Sequence, residues 1–549
     1  MSVDSNVPLG QTISENSGGL ITDEQVWMPT TPDAGIDGDK MKFRADIGFP
    51  WISLATSLRG EYTSGRLGIP SNATSPVTDK IQEVIDWIQT IGGGTLHMLD
   101  GVYPLDASKI TDKFSNFGAE VPANTGCLIL RPNVSLVGNG RARCGFVAVD
   151  PRLTLIYQIA PVNAEVSGMT LQGGWDPSNP NSGAGNGLFT LATAGGVSYA
   201  TINCIWRDLA IGKVASYALA LQNGYPIGCK IDDVIINTIG ADGLDLKARD
   251  PNNPDDEPYG NSTNNILIVN HGGRVTGSCG IDTRGIWNHK SVHVMDFGGN
   301  PVFDYNGVRF RTKDTASAGY PGIANRSTLD GFVVRPRTGA AVKSVVGVIS
   351  GSDDCHISKG TVVNPSTGVQ FTGNSIGNAT HNSVTQVSVV GATAYAFEVG
   401  VNCDNIELAV CSSRGSAVGF RNNGTHTGML RCKSIGDATP LSTGGVALAT
   451  QVIIGSTLGP DSNVTVTGSS GRVSISPVGD DANITTLIQG KGASPVWLNS
   501  PLKIASYVFA SVPVAGAWRD CYICISDRSN RLAVSDGVNW RFMDGVIVT

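Results

Sequence analysis

Between Gly138 and about Gly445 the chain repeats one theme: a few β-prone residues, often with alternating apolar positions, then a turn rich in Gly, Asn or Asp. VSLVGNG (134–140), VSGMTLQGG (166–174), CKIDDVIINTIGADG (229–243), NNILIVNHGG (264–273), NSVTQVSVVGATA (382–394) and DNIELAVCSSRG (404–415) are instances. The spacing is irregular, at roughly 20 to 40 residues, which is the repeat of a solenoid coil. One such unit cannot bury an apolar face alone, so successive units must stack. The expected product is a β-rod with one long exposed side, which suits an extended polymer better than a small enclosed metabolite.

The 549 residues suffice for several domains or one long solenoid. Only 15% are charged, yet 41% are hydrophobic, so the low charge reflects a packed chain and not disorder. A net charge of −7 gives no basic footprint for nucleic acid. The opening MSVDSNVPLGQT is polar and unlike a signal peptide, and no apolar run is long enough for membrane insertion. The 11 Cys are odd in number and scattered, which reads as small buried side chains made in a reducing cytoplasm, not a disulfide framework. Cys521 and Cys524 would point to opposite faces of a strand, so no metal site is expected there.

Residues 1–45 lack periodicity and read as an arm. Residues 75–92 carry the one clear helix, with Ser75 as N-cap, Pro76 at its first position, and a stripe of Val77, Ile81, Val84, Ile85, Ile88 and Ile91. GGGTLHMLDGVYPL (92–105) follows as strand, Asp100–Gly101 turn and strand. The helix is placed to cover the open end of the rod. Residues 46–445 form the rod, 446–504 a β-rich connection, and 505–549 a small meander of CYICI, RLAVS and NWRFM with a hairpin signal at Asp536–Gly537.

The helix followed by GGGTLHMLDGVYPL and LRPNVSLVGNG (130–140) resembles the entry of pectate-lyase-like right-handed parallel β-helices, above all the bacteriophage tailspike and capsule-depolymerase branch. GADGLDL (240–246) fits the same pattern, and the likeness spans residues 60 to 445. The run from Ser506 to Phe542 resembles the terminal module of phage tail fibres and spikes. The resemblance implies an all-β fold: a right-handed parallel β-helix with an N-terminal capping helix and small C-terminal β-domains. It also implies a homotrimer on a virion, attached to the phage tail or baseplate through the N-terminal arm. The partner would be a bacterial surface polysaccharide, met outside the host cell after synthesis in its cytoplasm.

Glycosidic cleavage uses two carboxyl groups across the scissile oxygen. On stacked coils they come from neighbouring strands, and GLDL and GIDT read as equivalent positions that set Asp245 beside Asp282. Asp242, Asp245, Asp282 and Asp296 are therefore the candidate catalytic residues, with Lys247, His271, Arg274 and Arg284 around them. Each Asp could equally cap a turn. GSDDCHIS (351–358) resembles the paired-Asp motif of polygalacturonase-like hydrolases, although it lies several coils from NTIGADGLD where that family has about one; Asp353 and Asp354 are a second candidate pair.

Three inserted loops, 173–187, 249–261 and 311–327, carry Trp175, Tyr259 and Tyr320, whose rings could stack on sugars; Trp206 and Trp287 could do the same. Asp255, Asp256 and Glu257 lack the ligand spacing of a Ca²⁺ loop and read as solvated, so neither a metal nor a cofactor is expected. The expected function is binding and hydrolysis of a polysaccharide. The alternatives are a receptor-binding spike without catalysis, and a lyase that uses the basic residues to neutralise a uronate.

Overall fold

The structure, a computed structural model, describes residues 60–107, 126–443 apart from 192, 195–196, 199, 249–259, 312–324, 338–343 and 374–378, and 506–548 apart from 518–521 and 530. It also describes a short antiparallel pair, Gln25–Val26 with Ile52–Ser53. Tyr259, Tyr320, Asp255, Asp256, Glu257, Cys521, the rest of the arm and residues 446–504 lie outside the described residues. The chain divides into two compact units, Met1–Gly471 and Arg472–Thr549.

The first unit is a right-handed parallel β-helix. Two parallel ladders run its length. The longer contains Glu165–Gln172, Ile205–Val214, Lys230–Ile239, Asn261–Val269, Trp287–Met295, Thr328–Arg335, His356–Val363 and Ser383–Val390. Towards both ends each long strand is divided in two, as in Gly94–Met98 with Gly101–Leu105 and Glu407–Ala409 with Ser412–Arg414. The shorter ladder starts at Gly126–Leu130 and ends at Thr439–Thr443. Coil length varies because the insertions fall between strands: Glu407 pairs with Gly428, whereas Asn288 pairs with Thr328.

The recurrent Gly, Asn and Asp residues mark the corners. Within successive long strands one residue takes left-handed backbone angles: Asp208 (φ 48°), Asp233 (φ 51°), Asn265 (φ 53°), Ser291 (φ 51°), Gly331 (φ 71°) and Lys359 (φ 51°). That residue bends the strand into two flat segments. Asn203, Gly228, Gly260 and Asp354 form a second corner, and Lys213, Thr238, Asn270, Asp296 and Asn364 a third. Asn, Asp and Gly adopt this conformation at the least steric cost. Each coil thus has three faces: the short ladder, and the first and second halves of the long strands. Alternation sends Ile231, Ile266, Val292, Leu329 and Ile357 inward to one continuous core.

Close approach dictates a glycine at the entry of the short strands. Gly243, Gly280, Gly307, Gly347 and Gly368 stack in register; a Cβ on Gly307 would stand 2.4 Å from the Gly347 carbonyl and 2.6 Å from a Val334 methyl.

The helix Thr78–Thr90 starts two residues later than the sequence suggests. Val77 is its N-cap and no side chain caps it, so Ser75 and Pro76 lie outside it. Ile81, Val84, Ile85 and Ile88 are buried, while Ile91 follows the helix and is exposed. Gln82 seals the edge strand of the short ladder: its amide donates to the Ile129 carbonyl (2.9 Å) and accepts from the Ile129 N–H (2.7 Å), as a neighbouring strand would. Arg131 and Asp86 form a buried ion pair beside it at 3.1 Å.

All ten described cysteines are free thiols, eight of them buried, in keeping with their reading as small core residues. The second unit is a four-stranded sheet of Ser506–Tyr507, Tyr522–Ile525, Arg531–Ser535 and Trp540–Phe542. Its core holds Ile523, Ile525, Ala533, Trp540 and Phe542. Asp536 caps its last hairpin, accepting the Val538 and Asn539 N–H groups at 2.8 and 2.7 Å.

Candidate functional site

The strand Leu244–Ala248 turns Leu244 and Leu246 into the core and Asp245 outward. Register then sets Asp245 against Asp282 on Ser278–Thr283, and Asp282 against Arg309 on Asp304–Phe310. The outward residue that follows the glycine and the inward apolar residue of these short strands forms a column that continues through Ile349, Gln370 and Glu398 to Arg421. Gln370 and Arg421 both donate to the Glu398 carboxylate, at 2.8 and 3.2 Å.

Asp242 enters the cluster from the corner before Leu244. One carboxylate oxygen accepts the Cys279 N–H of the next coil at 2.7 Å. Asp242, Asp245 and Asp282 each bring a carboxylate oxygen within 4.8 Å of the others, and all three are buried. Arg311 grips Asp282 with both arms of its guanidinium, at 2.7 to 2.9 Å. Burial pushes the Asp282 carboxyl up. The charge and hydrogen bonds of Arg311, with Arg309 and Arg284 behind it, outweigh burial and hold it below the usual range. Three carboxylates in one pocket could hold a hard cation. Here Arg311 already supplies the positive charge at Asp282, and a backbone N–H occupies Asp242.

The structure gathers Asp242, Asp245, Asp282 and Arg284 but sets the other candidates apart. Asp296 is an exposed corner residue (φ 52°) whose nearest cation is Arg335 at 3.9 Å. Asp353 accepts the Thr380 N–H and hydroxyl, both at 2.8 Å, and so ties its corner to the next coil, whereas Asp354 is an exposed corner residue with left-handed backbone angles (φ 55°). His271 is enclosed, stacked on Phe297 at 4.6 Å, and Arg274 lies in the loop that follows it. Trp175 folds back over Gly273 and donates to the Pro180 carbonyl at 3.3 Å, leaving 2% of its surface exposed. Trp206 and Trp287 sit inside the coils, where Trp206 donates to Gln158 at 2.7 Å. None of these four rings presents a face to a sugar. The aromatic side chains are large enough that a thin rod uses them to fill its interior.

Arg309 and Arg311 escaped the sequence reading. The signal was there: GLDL, GIDT, GVRF, GVIS and GVQF repeat one pattern of glycine, apolar, outward and inward residue, so GVRF could have placed Arg309 next to Asp282.

No protein-family model and no curated protein matches the chain. Among solved structures it is similar to the A-module of the Azotobacter vinelandii mannuronan C-5 epimerase AlgE6, at 16% identity over 73% of this chain and 100% of that one, with a TM-score of 0.47. It is also similar to the ORF18 protein of Geobacillus virus E2 (12% identity, 89% and 86% of the chains, TM-score 0.43). A third is the tailspike of Escherichia coli bacteriophage HK620, solved with a pentasaccharide (10%, 73% and 81%, TM-score 0.43). These are likenesses of coil architecture, and the chemistry of the site rests on this chain's own residues. Among the described residues no helix is long and apolar enough to cross a membrane.

Proposed function

We propose that this protein is a phage tailspike whose β-helix binds a bacterial surface polysaccharide along the short-ladder face and hydrolyses it at the Asp242–Asp245–Asp282 cluster. The observation that carries the proposal is the register of Asp245 on Asp282, with Asp242 within 4.8 Å of both, on the outward side of the ladder. Structural carboxylates are ordinarily spread apart; crowding three of them costs electrostatic energy that a functional cluster can use.

Arg311 keeps Asp282 ionised and fixed, so Asp282 supplies a standing negative charge to an oxocarbenium-like transition state. Asp242 and Asp245 act as the pair that protonates the leaving oxygen and attacks the anomeric carbon. Arg284 and Arg309 then orient the sugar chain along the column. Carboxylate oxygens within 4.8 Å of one another are too close for the roughly 6.5 to 9.5 Å of inverting pairs, which leaves the retaining geometry.

A second reading, glycan binding without cleavage, is favoured by one observation: Asp245 and Asp282 are both 0% exposed, and Asp282 is already gripped by Arg311. Incubating purified protein with a panel of capsular and O-antigen polysaccharides, and measuring new reducing ends, separates the two. Release that disappears in Asp245→Asn supports hydrolysis. Binding without release supports the second reading, and ultraviolet-absorbing unsaturated products would point instead to a lyase.

A further inference from the structure

Cysteines stack in pairs at two places on the long ladder. Cys204 precedes Ile205 and Cys229 precedes Lys230, residues that pair in register, so the two cysteines lie one coil apart. Cys411 and Cys432 stand in the same relation, just before the paired residues Ser412 and Lys433. Within each pair both thiols take the same seat. The Cys411 sulfur lies 3.5 Å from the Val384 carbonyl of the preceding coil, and the Cys432 sulfur 3.3 Å from the carbonyl of Leu408, the residue paired with Val384. Cys204 and Cys229 reach the Pro161 and Thr201 carbonyls in the same way, at 3.3 and 3.1 Å. Residues stacked like this are one strand spacing apart, about 4.8 Å. That falls inside the roughly 4.4 to 6.8 Å between Cα atoms that a disulfide spans. The two pairs differ in access. Cys204 and Cys229 are both 0% exposed, whereas Cys411 is buried and Cys432 is only half-buried. A hydrogen bond with Cys411 favours the Cys432 thiolate and lowers its pKa against the opposing effect of burial, and the same bond raises that of Cys411. Cys432 is therefore the accessible, more acidic sulfur beside a buried partner, the arrangement in which one thiol reacts first and its neighbour resolves.

We propose that Cys432 and Cys411 are an oxidation site: in the folded chain they become a disulfide on meeting a small-molecule disulfide, while Cys204 and Cys229 stay reduced. The inference is independent of the glycan reading. The Cys432 thiolate attacks one sulfur of the oxidant, whose S–S bond breaks and releases a first thiolate. Cys411 gives up its proton to that thiolate and attacks the Cys432 sulfur of the mixed disulfide, expelling a second thiolate that takes a proton from water. Two protein thiols are thereby oxidised by two electrons and the oxidant is reduced to two thiols. The new bond ties Ser412–Arg414 to Lys433–Ile435, strands of three residues each, where few ladder hydrogen bonds hold neighbouring coils and a covalent tie adds most. The buried pair shares the same register and the same hydrogen bond between its sulfurs, so access alone separates the two.

The test uses the full chain, purified in dithiothreitol, freed of it, and incubated in the folded state with oxidised glutathione. Remaining thiols are then alkylated and the digested chain is mapped by mass spectrometry. The wild type should carry a Cys411–Cys432 link, with Cys204 and Cys229 alkylated only after denaturation. Before oxidation, iodoacetamide should label Cys432 at least about tenfold faster than Cys204 or Cys229, as an accessible thiolate requires. Cys411→Ser should trap Cys432 as its glutathione mixed disulfide, and Cys432→Ser should leave Cys411 reduced. If Cys411→Ser fails to fold, Cys411→Ala keeps the site apolar and should give the same trapped species. Oxidised wild type should unfold at higher urea than the reduced protein, a difference that Cys432→Ser abolishes. Three results overturn the proposal: Cys432 still free in the folded wild type after oxidation, a mixed disulfide at Cys432 that never passes to Cys411, or equal oxidation of Cys204 and Cys229.

Discussion

His271 should set part of the acid stability of the β-helix, and replacing it with Phe should flatten the pH dependence. The imidazole is 1% exposed, stacked on Phe297 at 4.6 Å and edge-on to Tyr305 at 6.2 Å, and neither ring nitrogen has a hydrogen-bond partner. Burial alone lowers its pKa to about 3. An unfolded chain takes up this proton near pH 6.5, whereas the folded chain does not until about pH 3. The contribution to stability is therefore full above pH 6.5 and is lost as pH falls towards 3. Each unit in that window costs about 1.4 kcal/mol, so His271 should cost about 3 kcal/mol by pH 4.5. Phe has a similar flat shape, removes the titration, and relieves two unsatisfied nitrogens, so at pH 7 the variant should be as stable as wild type or more so by about 1 kcal/mol. Urea unfolding followed by circular dichroism from pH 7 to 4 measures this. Carboxylates titrate alike in both proteins, so the difference between the curves isolates His271. Parallel curves would refute the argument and mean that water reaches the ring.

Further outcomes follow from the same structure. His289→Asn should also reduce acid sensitivity, because burial takes His289 to about 3 as well; unlike His271, it bonds Thr263 and Thr283 at 2.9 and 3.0 Å, so this variant should lose about 1–3 kcal/mol at pH 7, read from the urea midpoint. Asp245→Asn should lower glycan hydrolysis about a hundredfold or more with binding intact, whereas Asp282→Asn should also destabilise the fold by about 3–5 kcal/mol because Arg311 loses its partner; equal melting of the two variants would contradict the assigned roles. Product anomers observed by proton NMR immediately after cleavage should retain the substrate configuration, and inversion would rule out a directly attacking carboxylate. Gly307→Ala should cost about 1–3 kcal/mol or more through contact with the Gly347 carbonyl, and an unchanged thermal midpoint would show that the coils can separate.

The solenoid was legible because its signals are local. Corners demand residues tolerant of left-handed angles, so Asp233, Asn265 and Asn364 punctuate the sequence at each coil whatever the coil touches. The alternation of Ile231, Val234 and Ile236 names a core face without knowing what covers it. The helix was legible in its stripe but not at its start, since Ser75 and Pro76 carry cap propensities that the chain does not use there. GLDL and GIDT likewise put Asp245 on Asp282, because parallel stacking conserves the place of a residue within its repeat.

What the sequence left open depends on contacts between coils and on what covers them. Nothing local distinguishes Asp282, held by the Arg311 side chain from the next coil, from Asp353, which binds the Thr380 backbone and hydroxyl on the next coil. Whether a tryptophan points into the rod or across its surface is decided by one residue of register and by the space beside it: Gly273 leaves room for Trp175, and Trp206 and Trp287 occupy the interior. His271 reads as a ligand-binding group in sequence and becomes an unprotonated core residue only once Phe297 and Tyr305 close around it. The repeat determined the rod and its columns; long-range packing decided which columns are buried, which are charged, and which chemistry each can perform.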